Sequence, residues 1–380
     1  MDNINKDALE LHRKNRGKIE IKSKVSIENK NDLSLAYTPG VGYVSSEIGK
    51  NKELARELTL KGNSVAIVSD GSAILGLGNL GPEAAIPVME GKAALFKRFA
   101  NIDGFPICLD TQDTEEIIKT VKYIAPVFGG INLEDISAPR CFEIERRLRR
   151  ELSIPVMHDD QHGTAVVVLA GLINAIKLAG LNKEEAKVVV SGAGAAGVAV
   201  TKILLNYGFK DIIVCDSQGT LNEGRANLIN EKKELSISTN PRNVPGALSD
   251  IIAGADIFIG VSKAGVLTEE MARSMNRKSI IFAMANPVPE IMPDAAKRAG
   301  AFIVATGRSD FPNQVNNVLA FPGIFRGALD NNIKQFTEEM FLKAAGNIAS
   351  LVKEPNAENI LPSVFEKGVT EAVADAINEK

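Results

Sequence analysis

Two acidic pairs and one glycine-rich turn hold most of the chemistry available to this chain. Glu134-Asp135 and Asp159-Asp160 each follow a short apolar run, Gly130-Ile131-Asn132-Leu133 and Ile154-Pro155-Val156-Met157. Such runs end at a strand's carboxyl edge, where ligands commonly gather. Carboxylate oxygens from two separate segments suit a hard cation, Mg²⁺ or Mn²⁺. Further on, Gly192-Ala193-Gly194-Ala195-Ala196-Gly197 follows a β-branched strand and opens an apolar helix from about Ala195 to Leu205, and Asp216 closes the next strand. Small residues there let the backbone approach a pyrophosphate on the helix N-terminus, and an acid at the next strand end accepts hydrogen bonds from the adenosine ribose. Together the two features point to metal-assisted oxidation by a nicotinamide cofactor. Taken singly, an acidic residue after a strand also reads as a helix cap, and a glycine turn as a packing device.

His158 and His162, four apart, raise a zinc reading, but the surrounding carboxylates favour a harder ion; buried, hydrogen-bonded histidines, with His162 opening or capping a helix, are the alternative. Cys108, Cys141 and Cys215 stand singly, without metal or disulfide spacing, and read as buried thiols in a reducing compartment. The 380 residues suggest two domains, and 45% hydrophobic with 24% charged residues is an ordinary globular composition. A net charge of −3 gives no general attraction to nucleic acid or anionic membrane. The basic run Arg146-Arg147-Leu148-Arg149-Arg150 reads as a solvated helix face. The first residues, Met1 to Lys6, are polar, and no uninterrupted apolar run approaches membrane-spanning length, so the expected location is the cytoplasm.

The elements that must position these residues follow from periodicity. Strand-like runs at Ser64–Val68 and Phe105–Leu109 alternate with helical patterns at Pro82–Phe99 and Thr114–Tyr123, which predicts a small N-terminal α/β domain over 1–160, the part of the chain that carries both acidic pairs. Five further runs begin at Lys187, Asp211, Asp256, Ser279 and Ala301 and predict a doubly wound parallel sheet, a Rossmann-type dinucleotide domain over 161–325. A helix from His162 to Leu178 links the two and ends at Gly180-Leu181-Asn182. Residues 326–380 read as a helical segment packing back on the body.

Seven segments, in order, give the chain a clear likeness: Tyr37-Thr38-Pro39-Gly40-Val41; Ser69-Asp70-Gly71 through Leu75-Gly76-Leu77-Gly78; Gly91-Lys92-Ala93; Glu134-Asp135; His158 through Thr164; Ala285-Asn286-Pro287; and Asn316-Asn317. The chain resembles the malic enzyme family, over about Asp32 to Phe325, in the compact prokaryotic-type form. Carried over by position, the resemblance implies Glu134, Asp135 and Asp160 as ligands of Mg²⁺ or Mn²⁺, Lys92 as general base, Tyr37 as general acid and Asp159 as a neighbour orienting Lys92. It implies Asn286 and Asn317 as contacts of the substrate carboxylate and the nicotinamide end, with Asn316 close by. Asx-turn and helix-start readings stand beside these asparagine roles. Ala73 occupies the position where larger relatives carry a carboxylate-binding arginine, so Ser72 or a group from a partner subunit is expected to anchor the substrate.

The implied reaction is oxidative decarboxylation of malate to pyruvate and CO₂, extending to added oxaloacetate, in a homodimer. The cofactor is expected to be NAD, since Asp216 repels a 2′-phosphate and Gln218 carries no charge to offset it, with NADP possible through Ser217 and Arg225. Another metal-dependent β-decarboxylating 2-hydroxyacid dehydrogenase is the second reading. A silent dinucleotide-binding regulator is the third, and the intact Tyr37, Lys92 and carboxylate set opposes it.

Overall fold

A computed structural model describes residues 2–379. Its first sheet is fully parallel, in the order β2-β1-β3-β4, from β1 (Ser64–Ser69), β2 (Asp103–Cys108), β3 (Gly130–Leu133) and β4 (Val156–His158). Every residue of β1, β3 and β4 is buried, as parallel strands covered on both faces require. Pro106 sits in β2, an edge strand, where a missing N–H costs no ladder bond.

The second sheet runs β10-β9-β8-β5-β6-β7, from β5 (Lys187–Ser191), β6 (Asp211–Asp216), β7 (Gly219–Thr220), β8 (Ile257–Gly260), β9 (Ile280–Ala283) and β10 (Ile303–Thr306). The five expected strands are parallel to their neighbours, and the chain reverses direction across the sheet between β5 and β8, the place where such folds bind ligands. β7 is additional: Gly219, at φ 109°, folds a two-residue antiparallel strand back on β6. So short a strand leaves no periodic pattern to read.

The linking helix spans Asp159–Ala179 and begins three residues before the expected His162, because two acids in its first turn are favoured by the exposed N–H groups there. Among the described residues this helix alone is, by length and composition, apolar enough to cross a membrane, although Asn174 and Lys177 interrupt its apolar run. In the structure 72% of its most apolar window is buried. It packs against the helices Ala195–Tyr207 and Glu338–Leu351 and forms the spine of one core shared by both sheets.

The helices Phe321–Asp330, Glu338–Leu351 and Val369–Ala374 pack on one another and on the helices Pro82–Ala100 and Asp159–Ala179. Phe321 and Phe325 meet Phe96 edge-on, at centroid distances of 4.7 and 5.5 Å. The basic run lies on the helix Arg140–Glu151, where it is not simply a solvated face. Arg147 pairs with Glu115 and Glu151, and Arg149 donates to the Phe336 carbonyl. At the other end, the helices Lys30–Ala36, Gly40–Lys50 and Leu54–Leu58 bury none of their residues.

Candidate active site

Strand register brings the reactive groups together. Leu133 of β3 pairs with His158 of β4, so Glu134 and Asp159, the next residues on each strand, emerge side by side. Between them the helix Pro82–Ala100 inserts Lys92, which is 6% exposed. Its Nζ lies 2.5 Å from Asp159 Oδ2 and 2.8 Å from Glu134 Oε1, and 4.2 Å from the centroid of the Phe321 ring. Burial alone lowers an amine's pKa, but the two carboxylates outweigh it and hold Lys92 protonated, above the usual lysine value.

Asp159 is completely buried. Its Oδ2 also accepts a hydrogen bond from Asn317 Nδ2, which joins the dinucleotide half to the lysine. Its Oδ1 presses on Gly163, one helical turn along, where a Cβ would come within 1.9 Å of that oxygen.

Two more carboxyl groups, Asp135 and Asp160, crowd the same edge. The Asp135 N–H donates to Asp160 Oδ2 at 2.9 Å, and Glu134 Oε2 accepts from Asn132 Nδ2 at 2.9 Å. Burial is the main cause that pushes Asp135 up to about 8, Glu134 to about 7 and Asp160 to about 6; repulsion from a neighbouring carboxylate adds to it, that of Asp160 on Asp135 and Glu134 and that of Asp159 on Asp160, and Lys92 opposes it. Asp135 Oδ2 is buried with no hydrogen-bond partner. Among the described residues no three histidine, cysteine or acidic side chains converge on a single ion-holding point, because Glu134 is turned into Lys92 and Asn132. The donor set itself has the chemistry a hard dication needs: crowded, buried oxygens, one of them unpartnered.

The glycine turn stands at the switch between β5 and β8. A Cβ on Gly192, at φ 114°, would meet the Val261 carbonyl at 2.6 Å, and one on Gly197 would meet the Gly192 carbonyl at 1.9 Å. Gly194 precedes the helix Ala195–Tyr207, with Ala193 buried beneath and Ala195 and Ala196 in the first turn. The carbonyl of Asn286, after β9, lies where a Cβ on Gly76 would come within 2.5 Å, so the loop bearing Ala73 meets the dinucleotide half there.

Residues 16–149 match the model of the malic enzyme N-terminal domain and residues 161–380 that of the malic enzyme NAD-binding domain. The chain belongs to the malic enzyme family. It is 57% identical to the bifunctional malic/malolactic enzyme of Bacillus subtilis, over 98% of this chain and 92% of that one. It is 58% identical to the NAD-dependent malic enzyme of Geobacillus stearothermophilus, over 96% and 76%. The NAD-dependent malic enzyme of Thermotoga maritima superposes with a TM-score of 0.95 at 51% identity, covering 98% of this chain and 99% of that one. The resemblance read from the motifs thus holds, as does the α/β architecture with its Rossmann-type half. NAD- and NADP-dependent malic enzymes both occur among the relatives.

For a malic enzyme chain, several expected residues stand in unexpected company. Tyr37 is 65% exposed and its hydroxyl makes no hydrogen bond among the described residues, so a single chain does not bring it to Lys92. Ser72 is buried: its hydroxyl donates to Asp70 Oδ1 at 2.5 Å and accepts from the Ser137 N–H, so its one proton is already committed and it is no free anchor for a carboxylate. Asn316 takes the helix-start role, with Oδ1 accepting from the Val318 N–H, whereas Asn317 reaches Asp159. His162 does not open its helix; it faces Glu145 at 2.9 Å and stacks on Phe341. His158 is buried but not satisfied, both ring nitrogens lacking hydrogen-bond partners, and burial pushes it down to about 4.

Residues with no motif of their own complete the site. Glu145 is buried yet ionised, because His162 and Arg149 outweigh burial and hold it down to about 2; it accepts from the His158 N–H and from Gln161. Glu290, fully buried, accepts from the Ser262 and Ala285 N–H groups and ties the ends of β8 and β9. Phe321 and Asn132 act by packing or by holding a carboxylate, as does Gly163 from within the 158–164 segment, and spacing alone does not reveal these roles.

Proposed function

We propose that this chain catalyses oxidative decarboxylation of (S)-malate to pyruvate and CO₂ with reduction of a nicotinamide cofactor, NAD in preference to NADP. The observation that carries this reading is the buried Lys92 between Asp159 and Glu134, with Asn317 of the dinucleotide half on the same Asp159 oxygen. Lys92 takes the proton of the C2 hydroxyl as hydride leaves C2 for the nicotinamide, Asp159 fixes the amine's direction, and Tyr37 returns a proton at C3 after CO₂ departs. Asn286, Asn316 and Asn317 are the proposed contacts of substrate and nicotinamide, and asparagine donates to a carboxylate without competing for a cation.

Glu134, Asp135 and Asp160 would hold a divalent Mg²⁺ or Mn²⁺. When bound, such an ion supplies Lewis-acid polarisation at the C2 oxygen, which favours both loss of the hydroxyl proton and cleavage of the C3–CO₂ bond. Were Glu134 to hold such an ion instead of Lys92, one of the two anions that keep the lysine protonated would be withdrawn, which would favour the neutral amine that Lys92 needs as a base.

The working unit in this reading is a homodimer. The N-terminal helices that bury nothing expose Leu35, Tyr37 and Tyr43, and a second copy over that face removes the acid Tyr37 from bulk water. Three unpaired thiols suit a reducing cytoplasm.

Purified protein with NAD or NADP and Mn²⁺, offered malate, tartrate, isocitrate, lactate and oxaloacetate, tests the reading by cofactor reduction and pyruvate release. Reduction on malate with equal pyruvate is expected. Turnover restricted to a different 2-hydroxyacid would move the assignment to the wider β-decarboxylating class.

A further inference from the structure

The turn that carries Asp159 and Asp160 is held from behind by one side chain. On the side of the site, Asp159 meets Lys92 and Asn317, with Gly163 one helical turn along against its Oδ1. Residues 158, 161 and 162 meet the helix Arg140–Glu151 instead, all at Glu145. The 3.6-residue period sets these two groups on different faces of the helix. Glu145 Oε1 accepts from the His158 N–H at 3.1 Å and lies 2.9 Å from His162 Nε2, and Oε2 accepts from Gln161 Nε2 at 3.0 Å.

His158 immediately precedes the helix, and its side chain makes no cap bond. In a capping box the third helical residue reaches back to accept the N–H of that residue. Here the third helical residue is Gln161, which donates to Glu145, and Glu145 takes the His158 N–H from another helix. Glu145 is itself only 5% exposed. Arg149 NH1, one turn along, stands 3.9 Å from its Oε1, and Arg149 donates to the Phe336 carbonyl. His162 stacks on Phe341 at a centroid distance of 4.8 Å, so the helix Glu338–Leu351 backs the same cluster. An apolar side chain fills buried space at less cost than a carboxylate, so stability alone does not account for an ion here.

We propose that Glu145 is a positioning residue that sets the geometry of both acidic pairs by fixing the first turn of the helix Asp159–Ala179. It touches neither substrate nor cation and acts through that turn. Asp160 Oδ2 accepts the Asp135 N–H at 2.9 Å, and Asp159 Oδ2 lies 2.5 Å from Lys92 Nζ. A turn that shifts therefore moves one acidic pair against the other and draws Asp159 off the lysine. The inference rests on the reading above, in which Asp160 holds the cation and Asp159 directs Lys92, and deepens it.

The test compares wild type with Glu145→Gln, Glu145→Asp, Glu145→Leu and Asn174→Ala. Asn174 is buried in the same helix and donates to the Ala349 and Ile360 carbonyls, so its loss costs stability away from the site. Two quantities are read without turnover: Kd for Mn²⁺ by electron paramagnetic resonance, and the rate at which acetic anhydride labels Lys92 in EDTA, by mass spectrometry. Groups that orient metal ligands through hydrogen bonds contribute about 10- to 100-fold in affinity. Kd for Mn²⁺ should rise by that factor in Glu145→Asp and Glu145→Leu, and less in Glu145→Gln, which keeps one acceptor. Lys92 labelling in these variants should speed up by about 10-fold, the worth of a charge-assisted bond. Asn174→Ala should change neither quantity despite a lower Tm. Glu145→Gln keeps the side chain's shape and decides the matter if Glu145→Leu fails to fold. A wild-type Kd in Glu145→Asp beside a weakened Glu145→Gln would reduce the effect to remote charge and overturn the inference, as would unmoved Lys92 labelling or an equal shift in Asn174→Ala. A wild type that binds no Mn²⁺ would remove the cation assignment above, and Lys92 labelling then decides this inference by itself.

Discussion

Gly163→Ala sets two physical effects against each other at one position. Gly163 lies inside the helix Asp159–Ala179, where alanine normally gains about 1 kcal/mol over glycine. In this fold the new Cβ would stand 1.9 Å from Asp159 Oδ1 and 2.8 Å from its Cγ, and carbon atoms in ordinary contact keep about 3.5 Å or more. The carboxylate must move by roughly 1 Å, and overpacking of a buried site costs about 1–3 kcal/mol, so net destabilisation of up to about 2 kcal/mol is expected. Catalysis should suffer more: Asp159 holds Lys92 at 2.5 Å, and a misplacement of about 1 Å at such a group costs on the order of 100-fold in rate. Gly346→Ala is the control, because its Cβ, in the helix Glu338–Leu351, would meet nothing within 4 Å; it should stabilise by up to about 1 kcal/mol. Thermal unfolding, NAD titration and kcat/KM on malate read both variants. A Gly163→Ala protein as stable as the control variant with wild-type kcat/KM would refute the placement of Asp159 and its role.

Chelation by EDTA should abolish malate oxidation, and Mn²⁺ or Mg²⁺ should restore it, whereas Asp160→Ala should stay inactive with NAD still bound; full activity after chelation, or rescue by zinc alone, would remove the oxygen-ligand assignment. The carboxyls of Asp135, Glu134 and Asp160, raised to about 8, 7 and 6, bind protons more tightly folded than unfolded, so their contribution to metal-free stability is present near pH 4 and lost as pH rises through 6–8. The Tm of EDTA-treated protein relative to Mn²⁺-loaded protein should accordingly fall from pH 5.5 to 8.5, and a flat difference contradicts the crowding of the three groups. Tyr37→Phe should slow protonation of enolpyruvate at C3, by about 100-fold or more, in a protein of unchanged stability, since the ring is exposed in the single chain; ketonisation at the wild-type rate would reassign the acid.

Most of what depends on neighbours in the chain was legible from the sequence. The strand beginnings at Lys187 and Asp211, the break at Gly180 and the glycine turn after β5 all appear where periodicity and turn residues put them, because each is decided by contacts within a few residues. The ordered motif set was equally legible, since a family's chemistry constrains residue types at fixed places. Tertiary structure alone decided which groups touch. Lys92 meets Asp159 across 67 residues, and Asn317 meets the same carboxylate across 158, through a strand register and a helix approach that no local pattern encodes. It decided that Ser72 spends its proton on Asp70, that His158 is buried without partners, and that Tyr37 stands apart from Lys92 in one chain. It also decided that Asp216 is caged by Arg225 and Lys232, which changes the meaning of a residue whose identity was plain from the start. The physical reason is common to all four: residue type fixes what a group can donate, accept or carry as charge, whereas burial and neighbours fix how much of that capacity remains for a ligand.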